Sequence, residues 1–394
     1  MSYSFAARTD GISGSAIREI LKLMVDPAII SFAGGNPSAD SFPAEELAAL
    51  SCSLLQAEGS RILQYGTTEG WAPLRESICK VVEPRQMRIS PEEVLILTGS
   101  SQGIELFTKI SINPGDVILC ETPTFLGALQ TFATYQAKVV GIPMEEDGMD
   151  MAALERAIVQ YRPKFIYTIP TFQNPTGITM SLAKRQQLAA LAAQTDTMIL
   201  EDDPYGSLRY AGEDLPSIYS LDPSGHVIHL LSFSKTVSPG LRVGAAIGNP
   251  EILRKMTVNK QGMDTHTSNL SQALIDAFIR RDRYFPHIAE IIPAYRDKLH
   301  TMLDGFVHFP QGTVHTTPQG GLFVWCELPG SLSATDLMQT AVDHKVAYVP
   351  GTHFYPEGGH DNTFRLNFSM CSVEQIASGM RTLGQVFVQA QAKS

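Results

Sequence analysis

The amino-acid sequence predicts an α/β protein: a large domain on a mostly parallel central sheet, and a smaller α+β domain beside it. Three observations lead there. From about residue 93 to residue 235 the chain repeats one order: an apolar, β-branched run, a turn rich in Gly, Ser or Pro, and a helical pattern. The apolar runs are continuous rather than alternating, as strands buried on both faces require. After about residue 300 that rhythm stops, and strand-like stretches mix with short helical ones.

Residues 15–25 read as a short amphipathic helix. Ile17, Ile20, Leu21 and Met24 share one stripe of 3.6-residue period, with Arg18, Glu19 and Lys22 off it. AIISFAGGNP gives a short strand that breaks at Gly34-Gly35, and PAEELAALSCSLLQAEG a helix. EVLILTGSSQGIELFTKI is strand, Gly/Ser turn and helix, and DVILCETPTFLGALQTFA repeats that order. KFIYTIPTFQNPTG, TMILEDDPYG and HVIHLLSFSK each run a strand into a polar turn. In the last part GLFVWCELP, KVAYVPG and TFRLNFSM read as strands. No linker, repeat or low-complexity segment intervenes, so the domains are expected to pack tightly: residues 46–300 as the large one, and 1–45 together with 301–394 as the small one.

Composition narrows the function. Of 394 residues 44% are hydrophobic and only 18% charged, which excludes a disordered chain and suits a compact enzyme. The formal net charge of −10 and the lack of a Lys/Arg cluster argue against nucleic acid as a partner. No run of 18 apolar residues marks a membrane span, and the N-terminus has no secretory pattern, so a cytoplasmic protein is expected. Cys52, Cys79, Cys120, Cys326 and Cys371 are widely spaced with no Cys-x-x-Cys pair; they read as free thiols, not a metal site or a disulfide framework.

Each strand end carries a distinctive polar residue, and ligands of open parallel sheets bind beyond the carboxyl ends of the strands. Gly99-Ser100-Ser101-Gln102-Gly103 joins a strand to a helix, where free N–H groups and the positive helix end favour a phosphate. An ordinary helix cap explains the same residues, and neither a dinucleotide nor a P-loop fingerprint is present. Asn174 lies in QNPTG, which turn chemistry also accounts for. Glu201-Asp202-Asp203-Pro204-Tyr205 follows an apolar strand, and such carboxylates are costly to bury unpaired; no histidine nearby in sequence supports a metal. Lys235 ends another strand, with Ser232 before it and Arg242 after it. Arg365, alone among apolar neighbours in TFRLNFS, suggests a carboxylate partner, whether substrate or structural. One chemistry uses all five: pyridoxal phosphate needs a lysine for its imine, an acid at its ring nitrogen, an anion cradle, and an arginine for the amino acid's carboxylate.

On these stretches the chain resembles the class I/II aminotransferases of pyridoxal-phosphate fold type I, within them the aminoadipate and kynurenine aminotransferase-like subgroup. IREILKL, ISFAGGNPSADSFP, LQYGTTEG, LTGSSQGIEL, ETPTFLGAL, TFQNPTG, LEDDPYG, SFSKTVSPGLRVG and FRLNFS carry the likeness over nearly the whole chain. The resemblance implies that Lys235 anchors pyridoxal 5'-phosphate and acts as general acid/base, and that Asp202 keeps the pyridine nitrogen protonated. It implies that Asn174 and Tyr205 hydrogen-bond the phenolic oxygen, and that Phe125 stacks on the ring where the subgroup often has tyrosine. Ser101, Gln102, Ser232 and Arg242 would hold the phosphate, joined by Tyr65 from the neighbouring subunit of a homodimer. Arg365, with Gly35 and Asn174, would hold the substrate α-carboxylate. Arg18 matches a subgroup arginine that pairs with a side-chain carboxylate, as in 2-aminoadipate or glutamate, while Asn36 replaces the apolar residue often found after the two glycines. The implied activity is transfer of an amino group from an L-amino acid, with 2-aminoadipate, glutamate, aromatic or aliphatic donors in view, to a 2-oxo acid such as 2-oxoglutarate. A lyase or decarboxylase on the same scaffold, or a regulator-type ligand-binding domain, are the alternatives.

Overall fold

The computed structural model describes residues 3, 5–9, 26 and 28–393. The helix expected over 15–25, with Arg18, lies outside the described residues. In chain order the strands are β1 (Ile30–Ser31), β2 (Val94–Leu97), β3 (Val117–Thr122), β4 (Lys138–Glu145), β5 (Gly148–Met149), β6 (Phe165–Thr168) and β7 (Met198–Asp203). They continue with β8 (Val227–Ser232), β9 (Gly244–Ile247), β10 (Val314–His315), β11 (Phe323–Glu327), β12 (Val346–Ala347), β13 (Val349–Pro350) and β14 (Thr363–Asn367).

Eight of them form one sheet in the order β2-β9-β8-β7-β6-β3-β4-β5. The pairs β4–β3, β3–β6, β6–β7 and β7–β8 are parallel. Helices provide crossovers: Leu126–Thr134 separates β3 from β4, and Leu182–Thr195 separates β6 from β7. The second starts where the Ser181 hydroxyl accepts the N–H of Lys184, a cap of the kind that contributes about 1 kcal/mol. Strand β9 runs against both neighbours, β8 and β2. The loop of residues 233–243 is too short for a helical crossover, so the chain turns back antiparallel beside the strand it has left.

The central strands are buried on both faces: Leu95, Ile118, Leu119, Ile166, Leu200, Ile228 and Leu230 are inaccessible to solvent. That explains their unbroken apolar sequence. The second sheet, β10-β11-β14-β13, is antiparallel, and its Phe323, Val324 and Leu366 share one apolar core with Leu95, Leu200 and Leu230 of the first. KVAYVPG, read as one strand, is two: β12 pairs with β1, and β13 with β14. The break falls at Tyr348, buried, whose hydroxyl donates to the carbonyl of Ala334 at 2.5 Å. In the register of the second sheet Arg365 stands opposite both Trp325 and Val349, in its middle rather than at an edge. No helix among the described residues is long and apolar enough to cross a membrane.

Candidate active site

Strands β2, β3, β6, β7 and β8 all end toward one side, and the polar residues singled out in sequence follow those ends. Lys235 lies three residues past β8. Its Nζ donates to the carbonyl of Gly35 at 2.8 Å, and no carboxylate pairs with it among the described residues. Burial, then the nearby charges of Arg242 and Arg365, push its pKa down to about 8. An amine so placed is half unprotonated near pH 8, well below an ordinary lysine, and so supplies the neutral form that a nucleophile and proton acceptor needs.

The three carboxylates at the end of β7 separate by the alternation of a strand. Glu201 faces His229, with Nδ1 and Oε2 3.1 Å apart, and accepts the N–H groups of Ile218 and Tyr219. Asp203 lies 3.7 Å from the Arg85 guanidinium and accepts the N–H of Gly206 at 2.8 Å. Among the described residues Asp202 has only the Tyr167 hydroxyl, which donates to Oδ2 at 2.9 Å, and its Oδ1 is buried with no partner. Burial pushes Asp202 up to about 7, against the pull of that hydrogen bond. An unpaired buried carboxylate oxygen is costly, so a site that keeps one is built for a cationic or N–H partner.

Arg365 is buried between aromatic rings, its Cζ 4.2 Å from the centroid of Phe323 and 5.0 Å from that of Phe354. Nη1 donates to Asn174 Oδ1 at 2.9 Å and Nη2 to the carbonyl of Ala33 at 2.7 Å, while Nε is buried without a partner among the described residues. Burial lowers its pKa to about 10, leaving it a cation at neutral pH. Asn174 Nδ2 in turn reaches the Tyr205 hydroxyl at 3.5 Å, and the Tyr205 ring stands edge-on to Phe323.

At the end of β2 the chain turns at Gly99, φ 81°, into the helix Ser100–Ser111. A Cβ there would stand 2.2 Å from Arg242 Nη2, so glycine is what lets the guanidinium close over this turn. Arg242 donates to the carbonyl of Thr98 at 3.2 Å and to Ser234 Oγ at 3.4 Å. Ser232 Oγ accepts the N–H of Ser234 at 3.2 Å. Ser101 is exposed in the first turn of the helix, whose leading N–H groups have no intrahelical acceptor. Phe125 sits half-buried just before the helix Leu126–Thr134.

Hydrogen bonds thus bring together Lys235 with Gly35, Arg365 with Asn174 and Tyr205, and Arg242 with the Thr98–Gly99 turn. Two expected residues stand apart. The Gln102 side chain is turned away, bonded to Thr98, Lys260 and Asp264. Tyr65 is 82% exposed, its ring edge against His266. Tyr167, Phe323, Lys260 and Asp264 were missed from sequence. A tyrosine or phenylalanine inside an apolar strand reads as core, and only the i, i+4 spacing of Lys260 and Asp264 carried any signal. Among the described residues no group of three or more His, Cys, Asp or Glu could hold a metal. The donor set does fit pyridoxal phosphate: a free amine, an orphaned carboxylate oxygen for a protonated ring nitrogen, a helix start beneath an arginine for the phosphate, and a second arginine for a carboxylate.

The family described as aminotransferase class I and II matches residues 27–383. An aromatic-amino-acid aminotransferase of Thermococcus litoralis is 38% identical over 396 residues, covering 99% of this chain and 95% of that protein. A 2-aminoadipate transaminase of Thermus thermophilus is 40% identical over 388 residues, covering 98% and 96%. The crystal structure of an α-aminoadipate aminotransferase from Thermus thermophilus, complexed with N-(5'-phosphopyridoxyl)-L-leucine, superposes with a TM-score of 0.93 at 38% identity, covering 99% of this chain and 98% of that one.

Proposed function

The chain belongs to the class I and II aminotransferases, and on that premise we propose that it moves the α-amino group of an L-amino acid to a 2-oxo acid on pyridoxal 5'-phosphate. The donors in view are 2-aminoadipate, glutamate and aromatic or aliphatic amino acids, with 2-oxoglutarate as acceptor; the 2-aminoadipate, aromatic and aliphatic donors are supported by the relatives' names and by the phosphopyridoxyl-leucine held by one of them. The observation that carries the cofactor reading is Asp202: buried, oriented by Tyr167, with one oxygen unpartnered among the described residues.

Bound here, pyridoxal phosphate supplies an electron-accepting ring joined to the substrate nitrogen. The rest falls to the chain. Lys235 would anchor the cofactor through its Nζ and, once released, that amine would hold the proton taken from the substrate Cα. Asp202 keeps a proton on the ring nitrogen. Asn174 and Tyr205 hydrogen-bond the phenolic oxygen, and Phe125 packs on the ring face. Arg242, Ser232, Ser101 and Gln102 hold the phosphate, Gln102 from its place in the first helical turn. Arg365, with Gly35 and Asn174, clamps the α-carboxylate; its aromatic sleeve excludes water from that ion pair. Arg18 is proposed to meet a side-chain carboxylate.

The proposed assembly is a homodimer in which Tyr65 reaches the partner's phosphate; the exposure of Tyr65 and of nearby Leu63 supports an apolar contact there. The proposed two-domain division, residues 46–300 as the large domain with 1–45 and 301–394 as the small one, is supported by the eight-stranded sheet drawing every strand from the first range and the four-stranded and two-stranded sheets drawing theirs from the second. Five free cysteines suit a reducing cytoplasm.

The test is near-visible absorbance of the purified protein. The cofactor band should be bleached by 2-aminoadipate, glutamate, leucine or an aromatic amino acid and restored by 2-oxoglutarate. Release of ammonia or carbon dioxide in place of that cycle would refute transamination.

A further inference from the structure

Lys260, on the helix Pro250–Asp264, is 0% exposed, an unusual state for a lysine. Its Nζ donates to Asp264 Oδ1 at 2.8 Å and Oδ2 at 2.9 Å, to Gln102 Oε1 at 2.9 Å and to Thr267 Oγ1 at 3.1 Å. Asp264 Oδ2 also accepts the Thr98 hydroxyl at 2.6 Å and Gln102 Nε2 at 2.8 Å, and Gln102 Oε1 accepts the N–H of Thr98 at 2.9 Å. The cluster therefore grips both ends of the turn Thr98–Gln102. Arg242 holds the same turn through the Thr98 carbonyl.

We infer that Lys260 and Asp264 are positioning residues for the cofactor phosphate: together they fix the Thr98–Gln102 turn from behind, and Lys260 cancels the charge that Asp264 brings to it. The inference rests on the pyridoxal-phosphate reading of the site. Stability alone is a poor reason for such a pair, because desolvating the inaccessible ammonium offsets much of what its attraction to the partly exposed Asp264 returns. Asp264 supplies acceptors that orient Thr98 and Gln102, yet a lone carboxylate beside a helix start repels a phosphate. The ammonium removes that repulsion and adds its own bond to Gln102. Gln102 thereby serves the cradle by being held, with its side chain committed to this cluster.

The test separates phosphate recognition from folding. Protein stripped of cofactor is titrated with pyridoxal phosphate and with pyridoxal, which lacks the phosphate, for the wild type, Lys260→Met, Asp264→Asn and the double variant. Lys260→Met leaves Asp264 uncompensated and should lose about tenfold or more in affinity for pyridoxal phosphate while keeping its affinity for pyridoxal. Asp264→Asn should lose less, and the double variant should regain most of the Lys260→Met loss. Lys260→Gln, which keeps hydrogen-bond donors without the charge, serves if the methionine variant does not fold, and should lose phosphate affinity in the same selective way. The inference is overturned if the wild type prefers pyridoxal phosphate and the Lys260 variants keep that preference, or if every variant loses both ligands alike. A wild type with no preference for the phosphorylated form would overturn the cofactor reading itself, and this inference with it.

Discussion

Arg365 Nη1 donates to Asn174 Oδ1 at 2.9 Å, across 191 positions of sequence. One residue comes from the middle of the antiparallel sheet and the other from the turn after β6, so this bond stitches the two sheets together at the site. It also fixes the guanidinium plane, with Ala33 holding the second amine.

That geometry predicts an unequal response to conservative change. Arg365→Lys keeps a cation but loses the fork and the two anchoring bonds at once. A charged hydrogen bond contributes about 1.5–3 kcal/mol, so kcat/KM for any amino donor should fall roughly tenfold to a hundredfold, mostly through KM. Steady-state kinetics with two donors of different side chain checks this; a loss confined to one donor would move Arg365 away from the shared α-carboxylate.

Lys235 gives a pH prediction. Its pKa of about 8 is set by burial first, then by Arg242 and Arg365. A lowered lysine pKa means the neutral amine appears earlier as pH rises, so the stripped protein should take up pyridoxal phosphate faster from pH 7 to a plateau above about 8. Arg242→Met removes one of the two charges and should shift that profile to higher pH, besides weakening phosphate binding. Lys235→Ala should cut turnover by about 10²–10⁴-fold, the usual scale of a lost acid/base, and more where the anchor is lost too. Stopped-flow uptake across pH, with pyridoxal as the phosphate-free control, separates the two effects of Arg242.

Asp202 gives a prediction of opposite sign. Burial holds its folded pKa near 7, above the ordinary carboxylate value. The folded protein therefore binds more protons than the unfolded chain between about pH 4 and 7, and stability falls as pH rises through that window. Glu121 is raised to about 7 by burial as well and contributes in the same direction. Stripped Asp202→Asn should lose its share of the slope, and the cofactor-loaded wild type should also show a shallower one, because a protonated ring nitrogen opposite Oδ1 lowers the carboxyl pKa. Tyr167→Phe should steepen it, since the one hydrogen bond to the Asp202 side chain among the described residues is gone. Melting temperatures from pH 4 to 8 for these four samples decide; identical slopes would refute it.

How far this site was legible follows from where each signal resides. Asp202, Lys235, Asn174 and Arg365 are polar residues at the ends or middle of apolar runs, an anomaly visible in sequence, and the chain does gather them. Tyr167 carried no such anomaly, because an aromatic residue in FIYT satisfies a buried strand; its hydroxyl matters only because β6 lies beside β7. Lys260 and Asp264 show in sequence only an i, i+4 spacing, which an exposed helix pair shares, and only packing shows the lysine to be inaccessible. The reversed β9 and the split of KVAYVPG were missed for a similar reason: both depend on which strand lies alongside, and periodicity is silent on neighbours.

Tyr65 carries the prediction that joins site to assembly. It is 82% exposed in the single chain, and Leu63, two residues before it, is exposed as well, which leaves apolar area uncovered. If its hydroxyl serves the partner's phosphate, Tyr65→Phe should loosen the cofactor by the scale of one hydrogen bond to a charged group, about 1.5–3 kcal/mol. A stronger consequence follows from symmetry. In a mixed dimer of Lys235→Ala and Tyr65→Ala chains, both defects fall on one site and the other site is whole. Unfolding and refolding the two variants together should then yield more activity than the mean of the two alone. A mixture that never exceeds that mean, while size-exclusion confirms that hybrids form, would place Tyr65 in the site of its own chain.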